Sequence, residues 1–167
     1  MILALDTYYF DNKAKTVALG FSDWSDSIEK ENYSEILENI EEYKSGEFYK
    51  RELPCILSLI SKIDEKKIKL IIIDGYVFVD DNSKLGLGGF LYEKLNQKIP
   101  IIGVAKTDFI SLTKNKISLL RGKSKNPLFI SSIGINLNEA SKKIKYMSGE
   151  HRIPTLLKKL DTLTKEK

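Results

Sequence analysis

The run Ile68-Lys69-Leu70-Ile71-Ile72-Ile73, closed by Asp74-Gly75, limits the possible folds of this chain more than any other segment. It is almost wholly apolar, yet too short for a stable helix, and it carries no alternation of apolar and polar residues. Such a run suits a strand covered on both faces, as in a parallel sheet with helices packed on either side. The flanking segments agree. Ile2–Phe10 is rich in β-favouring residues and is expected to be a strand interrupted by Asp6. Asp11-Asn12-Lys13 is expected to form a turn and Lys15–Trp24 a second strand, closing a hairpin. Between Ile28 and Tyr43 the pattern is ambiguous: Tyr33, Leu37, Ile40 and Tyr43 suit a helical stripe, while the acidic composition suits an edge strand.

Glu52–Lys62 repeats Leu53, Ile56, Leu57, Ile60 and Ile63 at helical spacing, with Pro54 expected in the first turn. A helix loosened by Gly86, Gly88 and Gly89 is expected around Leu85–Leu95, and a buried strand over Pro100–Val104, ending at Lys106. Lys116–Leu120 and Leu128–Ile133 read as strands around an Arg121–Asn126 turn. Asn136 to Glu139 resembles a capping box that opens a helix reaching Met147, and Pro154 opens a last helix with Leu156, Leu157, Leu160 and Leu163 inward. With no linker or internal repeat, the expectation is one α/β domain over 1–167 with a mixed sheet.

Composition excludes several chemistries. The 167 residues hold one cysteine, Cys55, and one histidine, His151. A disulfide framework and Cys- or His-rich metal sites are therefore out. No apolar run approaches the roughly 20 residues that span a bilayer. Met1–Leu5 is cut short by Asp6 without a basic flank, so it does not read as a signal peptide, and a cytoplasmic location is expected. Residues 1–65 carry 7 basic and 14 acidic side chains, whereas residues 66–167 carry 20 basic and 9 acidic. A basic half of this size attracts a polyanion such as nucleic acid. Lysine far outnumbers arginine, however, which equally suits an ordinary solvated surface.

Three carboxylates fall at informative places. Asp6 sits within an apolar strand, Asp74 ends the most buried strand, and Glu52 opens a helix expected to pack against both. Ligand sites of open α/β sheets collect beyond the carboxyl ends of strands. Buried acids are costly unless paired or bound to a metal. Convergence of the three, with no cysteine or histidine cluster, points to a hard divalent ion, Mg²⁺ or alternatively Mn²⁺.

The segments Asp6, Arg51-Glu52-Leu53-Pro54, Asp74-Gly75, Ile102-Gly103-Val104-Ala105-Lys106 and His151-Arg152-Ile153-Pro154, with Asp161 beyond, occur in the order and spacing that resembles endonuclease V. The resemblance runs from Asp6 to Asp161. It implies a ribonuclease-H-like fold and Mg²⁺-dependent cleavage near deoxyinosine or other deaminated bases, in DNA with RNA as the alternative substrate, by a monomer that does not associate with membranes. It implies Asp6, Glu52 and Asp74 as metal ligands, Lys106 as the active-site cation and Asp161 as a further acid near the metal. Nucleic-acid contacts are implied for Tyr43, Gly46, Arg51, Gly75, Gly103 and Arg152.

The chain also departs from the family pattern. A Tyr-Ile-Pro-Gly-like wedge reads Tyr43-Lys44-Ser45-Gly46, and a family histidine after Asp-Gly is replaced by Asp80. The glycine-rich stretch near the base pocket ends in Phe90 instead of histidine, and Ser132-Ile133-Gly134 is followed by Ile135 where the family again has histidine. These changes imply a preference for unpaired or mismatched substrate. Two alternatives are a divergent paralogue that binds nucleic acid with little or no cleavage, and an interaction domain whose three acids lie apart.

Overall fold

The computed structural model describes residues 1–40, 44–45 and 47–166. Seven strands form one mixed sheet: β1 (Ile2–Phe10), β2 (Lys13–Phe21), β3 (Glu31–Glu38), β4 (Leu70–Asp74), β5 (Ile101–Ala105), β6 (Ile117–Leu119) and β7 (Leu128–Ile133). Their spatial order is β3-β2-β1-β4-β5-β7-β6. The central β1, β4 and β5 are parallel, and the flanking pairs are antiparallel. Helices α1 (Phe48–Ile60) and α2 (Leu87–Lys94) cover one face, and α3 (Leu137–Tyr146) and α4 (Thr155–Lys165) cover the other.

Side-chain alternation explains the apolar run in β4. Leu70 and Ile72 join Ala4, Ile102, Val104, Ile144 and Leu160 in the core under α3 and α4. Ile71 and Ile73 join Leu3, Leu5, Ile56, Leu59 and Leu91 in the core under α1 and α2. Each face of the strand is dry, so neither position in the alternation is free to be polar.

The first hairpin turns through Asp11 and Asn12, both at positive φ (46° and 59°), which matches the tight two-residue turns that follow strand twist. β1 runs unbroken through Asp6, and β2 ends at Phe21, before Trp24. The ambiguous segment resolves as edge strand β3. Glu31, Tyr33, Glu35 and Leu37 are half-buried and alternate with exposed Asn32, Ser34, Ile36 and Glu38. Tyr33 and Leu37 suited a helical stripe only because a separation of four residues is compatible with both periods.

Helix α1 begins at Phe48, a turn before its expected start, so Pro54 lies inside the helix and not in its first turn. Proline is accommodated because it faces solvent, away from the buried Leu53, Cys55 and Ile56. The Asn136 side chain caps α3, accepting a hydrogen bond from the Glu139 N–H at 3.2 Å. Among the described residues, no helix is long and apolar enough to cross a membrane.

Gly103 in β5 allows the closest approach near the sheet's functional end. A Cβ there would lie 2.5 Å from the Gly75 carbonyl oxygen and 2.7 Å from Ser131 Oγ, and that hydroxyl accepts the Val77 N–H at 2.9 Å. Gly103→Ala is therefore expected to cost about 2 kcal/mol of stability through overpacking, read as a lower urea midpoint at unchanged m-value. Wild-type stability in that variant would show that the Gly75 turn yields without strain.

Candidate active site

Parallel register brings the first two acids together. Leu5 of β1 pairs with Ile73 of β4, so Asp6 and Asp74 follow at matching heights on neighbouring strands. Alternation turns both side chains toward the α3–α4 face, because Ala4 and Ile72 belong to that core. Helix α4 crosses the same face and delivers Asp161. One carboxylate oxygen from each of Asp6, Asp74 and Asp161 lies within 4.8 Å of the others.

Lys106, one residue past β5, reaches into the cluster. Its ammonium donates to Asp74 Oδ2 at 2.9 Å and to Asp161 Oδ1 at 3.3 Å. Burial lowers its proton affinity, but the charges and hydrogen bonds of Asp74 and Asp161 outweigh this and hold it protonated. For Asp161, burial pushes the carboxyl up, yet hydrogen bonding from Lys165, with the Lys106 charge, leaves it below the usual carboxylate range. Asp6 is different. It accepts the neighbouring Thr7 N–H, at 2.8 Å, and burial with the Asp74 charge raises it to about 6.

Glu52 stands behind this group. It is 3% exposed on α1, the helix of the opposite face, and is raised well above the carboxylate range by burial and then by Asp6 and Asp74. Thus Asp6 and Asp74, predicted as ligands, converge; the third member of the tight group is Asp161, and Glu52 supports it from across the sheet. The acids do not lie apart, as the interaction-domain alternative requires.

The implied nucleic-acid contacts fall in different places. Tyr43 and Gly46 lie outside the described residues. Arg51 stacks its guanidinium over the Tyr9 ring, 3.6 Å from the centroid, and its Nε and the Tyr9 hydroxyl are buried without hydrogen-bond partners among the described residues. Gly103 is buried, where its role is steric. Arg152 turns inward, donating to the carbonyls of Lys106 at 2.6 Å and Pro127 at 2.8 Å, so it holds the Lys106 backbone in place. Gly75, at φ 134°, lines an open cavity of about 640 Å³ with Tyr49, Tyr76, Phe90 and Phe109. The Phe90 and Tyr49 rings stack at 4.0 Å.

Sequence spacing did not single out this aromatic cavity wall or Lys165, whose ammonium lies 2.9–3.0 Å from both Asp161 oxygens. Only a lysine four residues after Asp161 hinted at the second. Asp80 and Ile135, at positions of family histidines, serve local structure. Asp80 accepts the N–H groups of Asn82 and Lys84, and Ile135 packs against the core under α3 and α4.

The donor set fits a hard divalent cation. It consists of carboxylates alone, they converge at coordination distances, and Lys106 and Lys165 bond only to Asp74 and Asp161, so burial and the Asp74 charge hold Asp6 toward its protonated form. A ribonuclease-H-like α/β sheet bearing a carboxylate cluster and a lysine at the carboxyl ends of its central strands defines a class of phosphodiester-cleaving proteins. The sequence model of the family Endonuclease V matches residues 1–162, and the chain belongs to that family of nucleases.

Solved structures agree on the fold. The crystal structure of human ENDOV is 21% identical, with a TM-score of 0.75 over 98% of this chain and 82% of that one. Endonuclease V of Ciona intestinalis, in complex with a 24mer DNA containing an inosine followed by a ribo-adenosine, is 18% identical, with a TM-score of 0.80 over 98% and 83%. The Endonuclease_V of Bacillus subtilis is 19% identical, with a TM-score of 0.75 over 98% and 78%. No curated protein matches the chain.

Proposed function

We propose that this protein is a Mg²⁺-dependent endonuclease, with Mn²⁺ as a substitute, that cleaves DNA near deoxyinosine or other deaminated bases as a step in repair. The observation that carries the reading is the convergence of Asp6, Asp74 and Asp161 within 4.8 Å, with Lys106 bonded to two of them. Asp6, Asp74 and Asp161 would hold the cation, and the buried Glu52, drawn into its ionised form by the cation's charge, would add to the negative field behind them. When bound, such an ion polarises a phosphoryl oxygen and lowers the pKa of water. Lys106, already protonated and fixed by two carboxylates and by Arg152 on its backbone, has donor capacity left for a phosphate oxygen. The aromatic cavity begins at Gly75, immediately after Asp74. That is a suitable place for a base turned out of its stack and held between rings. Ciona endonuclease V, solved with inosine-containing DNA, shares this fold and supports the substrate assignment.

The test is incubation with single-stranded, mismatched and fully paired inosine DNA, the corresponding RNA, and inosine-free controls, each with Mg²⁺ and with Mn²⁺. Inosine-dependent cleavage leaving a 3′-hydroxyl and a 5′-phosphate is expected. It should be fastest on unpaired DNA, because Lys44 and Ser45 are polar and exposed where a wedge would be apolar, and extruding a paired base costs a few kcal/mol. Binding should weaken steeply with salt, as for affinity dominated by lysine–phosphate contacts. Absence of metal-dependent cleavage on every substrate would overturn the reading. Equal rates on paired and unpaired DNA would show that the Lys44-Ser45 replacement is immaterial.

A further inference from the structure

The loop that leaves Lys106 ends in an apolar residue displayed to solvent. Ile110 is 89% exposed, and its neighbour Phe109 is 40% exposed at the edge of the aromatic cavity. A single exposed isoleucine is ordinary on a protein surface. Here, however, the loop is pinned on both sides. The Tyr76 hydroxyl donates to the Thr107 carbonyl at 2.7 Å, and Ser111 Oγ donates to the Val79 carbonyl at 3.0 Å. Lys116 pairs with Asp108 and donates to the Phe109 carbonyl at 3.0 Å. Asp81 accepts the N–H groups of Thr113 and Lys114 at 2.9 and 2.8 Å, and Leu112 is fully buried as an anchor. Ile110 is therefore held outward by a fixed backbone.

Position adds the second argument. Four residues of chain separate Ile110 from Lys106, a reach of at most about 14 Å. Phe109, the residue before Ile110, lines the cavity with its ring 5.7 Å from that of Tyr76. A protruding apolar side chain beside an aromatic cavity, with the exposed Lys114 on the same loop, suits insertion into a stack of bases whose backbone that lysine can meet. We propose that Ile110 is an apolar wedge that enters a base step of duplex DNA and holds it open while the displaced base occupies the cavity at Gly75 and Phe109. The proposal rests on the nucleic-acid reading above and identifies a residue that governs its preference between paired and unpaired substrate.

The experiment uses the full-length protein and an inosine duplex carrying 2-aminopurine beside the inosine. Measured at saturation with metal chelated, so that nothing is cut, the wild-type protein is expected to raise 2-aminopurine fluorescence as the step unstacks. Ile110→Ala is expected to lose most of this rise, and Ile110→Leu to restore it. With Mg²⁺ present, Ile110→Ala should lower the ratio of duplex to single-strand cleavage about tenfold, equivalent to about 1.4 kcal/mol. No rise with saturating wild-type protein, or an unchanged rise and ratio in Ile110→Ala, overturns the wedge while leaving the nuclease reading intact. Failure of the wild-type protein to bind or cut any nucleic acid overturns both.

Discussion

Replacing Asp74 by Asn is expected to reduce cleavage by about 10³-fold or more while nucleic-acid binding persists. Asp74 is the central group of the site: it neighbours Asp6 across the β1–β4 register, shares the carboxylate cluster, and accepts the Lys106 ammonium at 2.9 Å. Asparagine preserves shape but removes the charge, so the proposed cation would lose an anionic ligand and Lys106 would keep Asp161, at 3.3 Å, as its charged partner within the cluster. The lysine-rich surface of residues 66–167 is untouched, and backbone affinity should remain. Single-turnover cleavage, set beside fluorescence anisotropy at two salt concentrations, separates these effects. Undiminished cleavage by the Asn variant would remove Asp74 from the chemistry.

The second large effect concerns stability and pH. Burial and the Asp74 charge raise Asp6 to about 6, and burial, then Asp6 and Asp74, hold Glu52 well above the carboxylate range. In the unfolded chain both return to values near 4. Between about pH 4 and pH 6 the metal-free fold therefore binds more protons than the unfolded chain. Stability falls as pH rises through this window, by about 3 kcal/mol for Asp6 alone. A divalent cation held by the ionised acids, as proposed above, would reverse the trend. Metal-free protein should thus melt higher at pH 5 than at pH 7.5. Saturating Mg²⁺ or Mn²⁺ at pH 7.5 should raise Tm by roughly 5–10 °C, an increment that shrinks below pH 6. Asp6→Asn should raise the metal-free Tm at pH 7.5 and abolish the metal increment. Calorimetry across pH, with and without metal, checks both signs; a Tm indifferent to either ion would rule out a metal centre.

These effects follow from features that differ in how early they are visible. The apolar run before Asp74 and the β-rich Ile2–Phe10 are legible as strands because a residue dry on both faces leaves a composition signature that survives in one dimension. Asp6 and Asp74 stand out for the same reason: a carboxylate inside or at the end of such a run is anomalous. The segment over residues 31–38 was not legible, because a weakly apolar edge strand is selected by pairing with β2 and not by its own periodicity. The start of α1 was also missed, since Pro54 suggested a first turn and only the exposed side of the packed helix makes it tolerable deeper in.

Membership of the acid cluster shows the same limit. Residue type and position alone suggest Asp6, Glu52 and Asp74, and Asp161 enters only through family resemblance. Tertiary structure decides their ranking: alternation points Asp6 and Asp74 toward the α4 face, where Asp161 meets them, while Glu52 arrives on α1 from the other side. The resemblance implies Arg152 as a nucleic-acid contact, whereas the fold turns it onto the Lys106 and Pro127 carbonyls. The family resemblance places a base pocket near Phe90, but that Tyr49, Tyr76 and Phe109 share its wall, and that the Ile110 loop is pinned beside it, leaves no one-dimensional trace, because these residues come from separate segments. By itself the sequence determined which strands are buried on both faces and which acids interrupt them, since burial is written residue by residue. Which side chains share a face, and so which of them can share an ion or a base, was decided only by strand register and helix packing.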